Sequence, residues 1–241
     1  MRLISRPMPV DGQSVESYIR TLAIRNGYSS PAELLTCAFD GHVKGPLRNI
    51  SSDLIKELTG HTCSTHRGLQ LMKSSDLKGY RYYHLVLPEH HLRRDEHYCP
   101  DCYQQTPVVL ARWNIAWLPM CLKHKTVLQK FESGGKAASL KRAGVQTLHL
   151  GPAANDELYD EAAYKAQAQL ESELDRQIAL RTSCNNSMVK LIDDALIRCL
   201  NLNHHKDLKG LKRRYPARFF PLNHRDTFRM LEMMYFQKMA A

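Results

Sequence analysis

Four residues in this chain have the types and spacing to hold a metal ion. Cys99-Pro100-Asp101-Cys102 is followed, after eighteen residues, by Cys121-Leu122-Lys123-His124. Two short pairs supply three thiolates and one imidazole, a tetrahedral donor set suited to a closed structural zinc site. A catalytic zinc keeps a position open for water, and no vacancy of that kind is evident in this pattern. The tight spacing within each pair lets both ligands reach one ion at about 2.0–2.3 Å. A redox Cys-x-x-Cys pair is the competing reading. It needs no Cys-x-x-His partner, and no βαβ pattern surrounds this one. One structural zinc on Cys99, Cys102, Cys121 and His124 is therefore expected.

Other titratable clusters are weaker. His61, Cys63 and His66 crowd three donors into six residues, which gives poor tetrahedral geometry, so a loop with a packed cysteine is expected there. Adjacent His204 and His205 cannot easily share one ion and read as a surface turn. His90-His91 stands shortly before the Cys pattern, as in His-Asn-His nucleases held together by zinc knuckles. Such an enzyme needs the histidine pair to frame a strand-helix unit, with a further Asn and His after the second knuckle, and the run from Lys125, Thr126 and Val127 into the Gly134-Gly135 linker offers neither. GxxxxGK[ST] and GxSxG are both absent. No catalytic or cofactor-binding residue is assigned, and an enzyme is not expected.

The elements that must position the metal ligands read as mostly helix. Ser14 can cap a helix with Val15, Tyr18, Ile19, Leu22 and Ala23 on one face, stopped by Gly27. Ser30-Pro31-Ala32-Glu33 has the form of a cap, a first-turn proline and a capping-box glutamate. Two helices across this short turn look like the start of a helix-turn-helix, or simply like two packed helices. Ser52 opens a third helix, closed by Gly60. Between the knuckles, Trp113, Ile115 and Trp117 alternate as in a short strand, and both tryptophans are expected to pack around the metal site.

Farther on, Ser133-Gly134-Gly135 to Gly151-Pro152 reads as a linker. Leu158, Ala162, Ala166, Leu170, Leu174 and Ile178 then follow helical spacing. So do Val189, Ile192, Ala195, Leu196, Cys199 and Leu200, with Cys184 and Cys199 expected in the core. Asn223 can cap a last helix bearing Phe228, Leu231, Met234 and Tyr235. The expected fold is mainly α. A helix-turn-helix-like bundle spans 1–85, a small zinc-ribbon or finger unit 86–131, a linker 132–151 and a C-terminal helical domain 152–241.

Composition agrees with a folded chain: 241 residues, 43% hydrophobic, net charge +10. The positive charge gathers over 99–151 and 186–241, and 152–185 is acidic. Lys209, Lys212, Arg213, Arg214 and Arg218 form a basic run that could meet a phosphate backbone or a protein partner. No apolar stretch is long enough for a membrane helix, and the start lacks a signal peptide. Seven cysteines, an odd number, suit a reducing compartment. A cytoplasmic protein is expected.

The flanks of the Cys pattern carry a resemblance. Tyr98-Cys99-Pro100-Asp101-Cys102-Tyr103, Ala111-Arg112-Trp113, Trp117-Leu118-Pro119 and Cys121-x-x-His124 with Leu128 form one part of it. Arg6-Pro7-Met8-Pro9, Gly12, Glu16-Ser17-Tyr18 and Asn26-Gly27-Tyr28 form another, with Leu58-Thr59-Gly60 and Arg93-Arg94 between. Over about residues 4–130 the chain resembles the TniQ/TnsD family of transposition target-selection proteins. That resemblance implies a non-catalytic adaptor of a bacterial transposon, at work on the nucleoid. It would bridge a target-recognition element to the AAA+ ATPase regulator of the transposase. The element is a DNA site in the TnsD branch and an RNA-guided effector complex in CRISPR-associated transposons. The chain's shortness points to the adaptor, because TnsD-type proteins carry long C-terminal extensions. A homodimer is compatible with this role. Many relatives carry a second Cys-rich ribbon, and this chain has no paired cysteines beyond His124. A zinc-containing transcription regulator and a His-Asn-His nuclease are the alternatives.

Overall fold

The computed structural model of the chain describes residues 3–40, 47, 50–60, 72–73, 79–131, 161–180, 185–200 and 224–239. The basic run Lys209–Arg218 lies outside them, as do His61, Cys63, His66, Leu158, Cys184, His204, His205, Asn223 and the 132–151 linker.

Helix α1 (Val15–Arg25) starts where Ser14 Oγ accepts the Ser17 amide, satisfying one of the donors every helix start leaves open. It ends at Asn26, and Gly27 takes φ +79°, a conformation that a Cβ disfavours. Helix α2 (Pro31–Phe39) is capped by Ser30, whose Oγ accepts from the Glu33 amide. The Glu33 carboxylate reaches back one residue farther than expected and accepts from the Ser29 amide at 2.7 Å. Helix α3 (Ser52–Thr59) is capped by Ser51 and closed by Gly60 in the left-handed region. The apolar faces of the three helices meet in one core, with Tyr18, Ile19, Leu22, Leu34, Ile55 and Leu58 buried together.

Strands β1 (Met72–Lys73), β2 (Tyr80–Tyr82) and β3 (Leu85–Leu87) form an antiparallel sheet in sequential order. Tyr80 and Tyr82 alternate into the core, as do Leu85 and Leu87. Gly79 lets the strands close, because a Cβ there would lie 2.6 Å from the Leu87 carbonyl oxygen. Three two-residue strands and a short helix follow: β4 (His97–Tyr98), α4 (Pro100–Gln105), β5 (Met120–Cys121) and β6 (Thr126–Val127). With β7 (Gln129–Lys130) they form two small antiparallel pairs, β4 with β7 and β5 with β6. No sheet among the described residues exceeds three strands.

The strand expected at Trp113–Trp117 does not form. Ala111–Asn114 is a 3-10 turn, and Ile115 makes only a single bridge to Leu92. The Arg93 side chain explains why. Its guanidinium donates to the carbonyls of Trp113, Ala116 and Leu118, so those acceptors do not serve a β ladder. The alternating residues are still buried, but the two tryptophans separate. Trp113 joins the cluster around the Cys residues, whereas Trp117 joins the core beneath the C-terminal helices.

Helices α5 (Glu161–Leu180), α6 (Asn185–Cys199) and α7 (His224–Met239) pack on one another, and α6 also touches β3. Their core is continuous with the β-sheet. Tyr80, Tyr82, Leu87, Trp117 and Met120 are buried with Leu170, Leu174, Ile192, Leu196, Phe228 and Leu231. Cys199 packs against this core, half-buried. The chain is thus mainly helical, with a few small sheets. No described helix is long and apolar enough to cross a membrane.

Candidate metal centre

The four expected ligands converge. Cys99 stands just before α4, with Pro100 as its first residue, and Cys102 lies within that helix. Cys121 ends β5, and the Leu122–Lys125 turn carries His124 back toward it, with Lys125 at φ +53°. Pairing of Cys121 with Thr126 closes the second knuckle. The first is tied in by β4–β7, where Tyr98 faces Gln129.

His124 Nδ1 lies 3.3 Å from Cys99 Sγ, 3.3 Å from Cys102 Sγ and 3.8 Å from Cys121 Sγ. Cys102 and Cys121 Sγ are 3.8 Å apart. A tetrahedron with metal–sulfur bonds of ~2.3 Å and a metal–nitrogen bond of ~2.0 Å has edges of about 3.5–3.8 Å. The donor set fits one small cation. Its charge distribution asks for one too. A hydrogen bond with Cys121 holds Cys99 down to about 4, while Cys121 is pushed up by that same bond and by burial. Burial and the Cys99 charge push Cys102 up. Three thiolates this close repel one another, and a divalent ion between them offsets that repulsion. Tyr98, Val109, Trp113, Leu128 and Phe131 close an apolar shell over the cluster.

Two sets of contacts fix the knuckles to the rest of the chain. On the N-terminal side, Ser14 N donates to Val109 O, Ala111 N to Gly12 O, and Val109 N to Ser17 Oγ at 2.9 Å. Glu96, 7% exposed, accepts from Ser14 Oγ at 2.8 Å and pairs with Arg20, whose guanidinium lies 4.2 Å over the Phe131 ring. On the C-terminal side the fully buried Gln167 acts like a strand edge. Its Oε1 accepts from Met120 N at 3.1 Å, and its Nε2 donates to Met120 O at 2.7 Å, one residue before Cys121. Arg112 pairs with Glu171 and Asp175 on the same helix.

A second convergence was not foreseen. His90 and His91, in the 3-10 turn Glu89–His91, both direct Nε2 at Oδ1 of Asp193 on α6. Burial raises the Asp193 pKa, but the hydrogen bonds and charge of the two histidines outweigh it and hold the carboxyl well below its usual range. The sequence signal for the histidines was visible. Their partner, about a hundred residues later, was not. Among the described residues, the chain after His124 runs through β6 and β7 to Phe131.

These features define a mainly helical protein organised on a Cys-Cys-Cys-His knuckle pair. The TniQ family model matches residues 4–128, just over half of the chain, so the chain belongs to the TniQ family. Its members are in general non-catalytic accessory proteins of transposition. No curated protein matches the sequence significantly. The match stops between β6 and β7, yet α5–α7, beyond it, share a core with matched residues.

Proposed function

We propose that this protein is a zinc-containing transposition adaptor that links a target-bearing complex to the AAA+ ATPase regulator of the transposase, working in the bacterial cytoplasm without chemistry of its own. The TniQ match over residues 4–128 is the observation that carries this reading. The zinc role is supported by the geometry of Cys99, Cys102, Cys121 and His124, four donors in a closed apolar shell with both knuckles stitched to neighbouring elements. A closed four-ligand site stabilises structure and leaves no position for a reacting water. It would hold α1 and the C-terminal helices in fixed relation, as a protein with two binding faces requires. The uneven charge supports two such faces: basic segments suit nucleic acid, and the acidic 152–185 segment suits a basic protein surface.

The deciding experiment is targeted transposition with this gene deleted, together with pull-down of the ATPase by the tagged protein. Loss of targeted insertion and recovery of the ATPase are expected. Efficient, correctly placed insertion without the protein would refute the adaptor role. Binding to bare DNA should be weak and steeply salt-dependent. Replacing Arg213 and Arg214 together should reduce that affinity and its salt slope. A tight, sequence-specific footprint would instead indicate a protein that reads the site itself.

A further inference from the structure

We propose that His90, His91 and Asp193 form a second metal site, for a divalent first-row ion such as zinc, which clamps the segment before the first knuckle to helix α6. The three donor atoms, two imidazole nitrogens and one carboxylate oxygen, lie within 4.8 Å of one another. His90 Nε2 is 2.9 Å from Asp193 Oδ1 and His91 Nε2 is 3.0 Å from the same oxygen. A carboxylate offers two oxygens and about four lone-pair directions, so two donors seeking only hydrogen bonds are free to take one oxygen each. Here both rings turn to a single oxygen, held nearly perpendicular at 84° with centroids 4.6 Å apart. Convergence on one oxygen gathers the three donor atoms within reach of a single ion. Ligands at ~2.0–2.2 Å from a metal, at angles between octahedral and tetrahedral, stand about 2.9–3.4 Å apart.

Adjacent side chains in an extended chain point apart. The 3-10 turn, closed by His91 N donating to Pro88 O, brings both imidazoles to one side. The backbone is fixed behind them, because His91 O accepts from Ala116 N at 2.9 Å. The His91 side chain is fully buried, and those of His90 and Asp193 are 14% and 19% exposed, so the donors are shielded from bulk water. Imidazole with carboxylate is the donor chemistry of zinc and its first-row neighbours rather than of magnesium or calcium. The second carboxylate oxygen or a water completes the shell. The site lies apart from the Cys residues and joins the TniQ-matched segment to a helix outside it.

The test uses the full chain. Protein carrying one zinc is titrated with cobalt(II) at neutral pH and followed by visible absorption and thermal unfolding. One further equivalent should bind, giving weak visible bands without thiolate charge transfer, and should raise the melting temperature. Asp193→Asn keeps an oxygen for both histidines but removes the charge a metal needs. It should abolish the second equivalent and the thermal gain, and so should His90→Gln. Both variants should keep the first metal, whose cobalt form shows thiolate charge transfer, so failure of the Cys site is recognised separately. A stoichiometry of one, or a second equivalent that persists in both variants, would overturn the proposal and leave the cluster as an ion-pair clamp.

Discussion

Replacing Glu96 with alanine tests how the N-terminal helices are joined to the knuckles that carry Cys99, Cys102, Cys121 and His124. The Glu96 carboxylate is 7% exposed and is held between Ser14 Oγ at 2.8 Å and the Arg20 guanidinium, itself 17% exposed. Removing one member of a buried, hydrogen-bonded ion pair costs about 3–5 kcal/mol, because the remaining charge is left without compensation. Arg20 keeps some solvent and its place over Phe131, which sets the cost at the lower end, about 3 kcal/mol. For a chain of this size each kcal/mol moves the melting temperature by about 2–4 °C, so Glu96→Ala should melt about 6–12 °C lower. Glu96→Gln, which keeps an acceptor for Ser14, should fall between. The assay is circular dichroism on the metal-loaded protein, with Arg20→Met and the double variant completing a cycle. The double variant should lose clearly less than the sum of the singles. A Glu96→Ala melting point within about 1 °C of the parent, or additive singles, would show that this pair does not couple the two elements.

Three further outcomes are expected. In metal-loaded protein the exposed Cys37 should react with a thiol reagent at once, while Cys99, Cys102 and Cys121 react only after chelation; equal rates before and after would exclude a metal at the knuckles. Gln167→Leu strands the Met120 amide and carbonyl in a buried position and should cost about 3 kcal/mol by urea unfolding, whereas a loss below about 0.5 kcal/mol would mean that the two bonds are replaced. Gly79→Ala meets the Leu87 carbonyl at 2.6 Å and should destabilise more than Gly27→Ala, where open space leaves only the cost of positive φ, about 1–2 kcal/mol; the reverse order in paired thermal melts would contradict the strand packing.

Much of the local structure was legible because it depends on neighbouring residues. Ser14 and Ser30 cap α1 and α2 as the sequence indicates, and Gly27 and Gly60 end helices in the left-handed region. Capping is a contact across three or four residues, so type and order suffice to read it. The four donors were legible for the same reason, since each knuckle is a short turn. The apolar spacing of α5 marks its buried face at Ala166, Leu170 and Leu174. It does not reveal Gln167 and Gln177, which are buried although polar. A buried glutamine is foreseen only when its partner is known, and the partner of Gln167 is the backbone of Met120.

By itself, the sequence determined the caps of α1 and α2, the apolar spacing of the longer helices, four residues that could hold a metal and membership of the TniQ family, all carried by short-range spacing and residue order. Only the tertiary structure decided that Arg93 consumes the carbonyls between the knuckles and replaces a strand with a 3-10 turn. It also decided that Trp113 and Trp117 face different cores, and that Asp193 meets His90 and His91 across a hundred residues of chain. Those outcomes depend on which buried polar groups find each other. A donor or acceptor taken out of water must be matched somewhere, and the packing of distant elements, not local spacing, sets where.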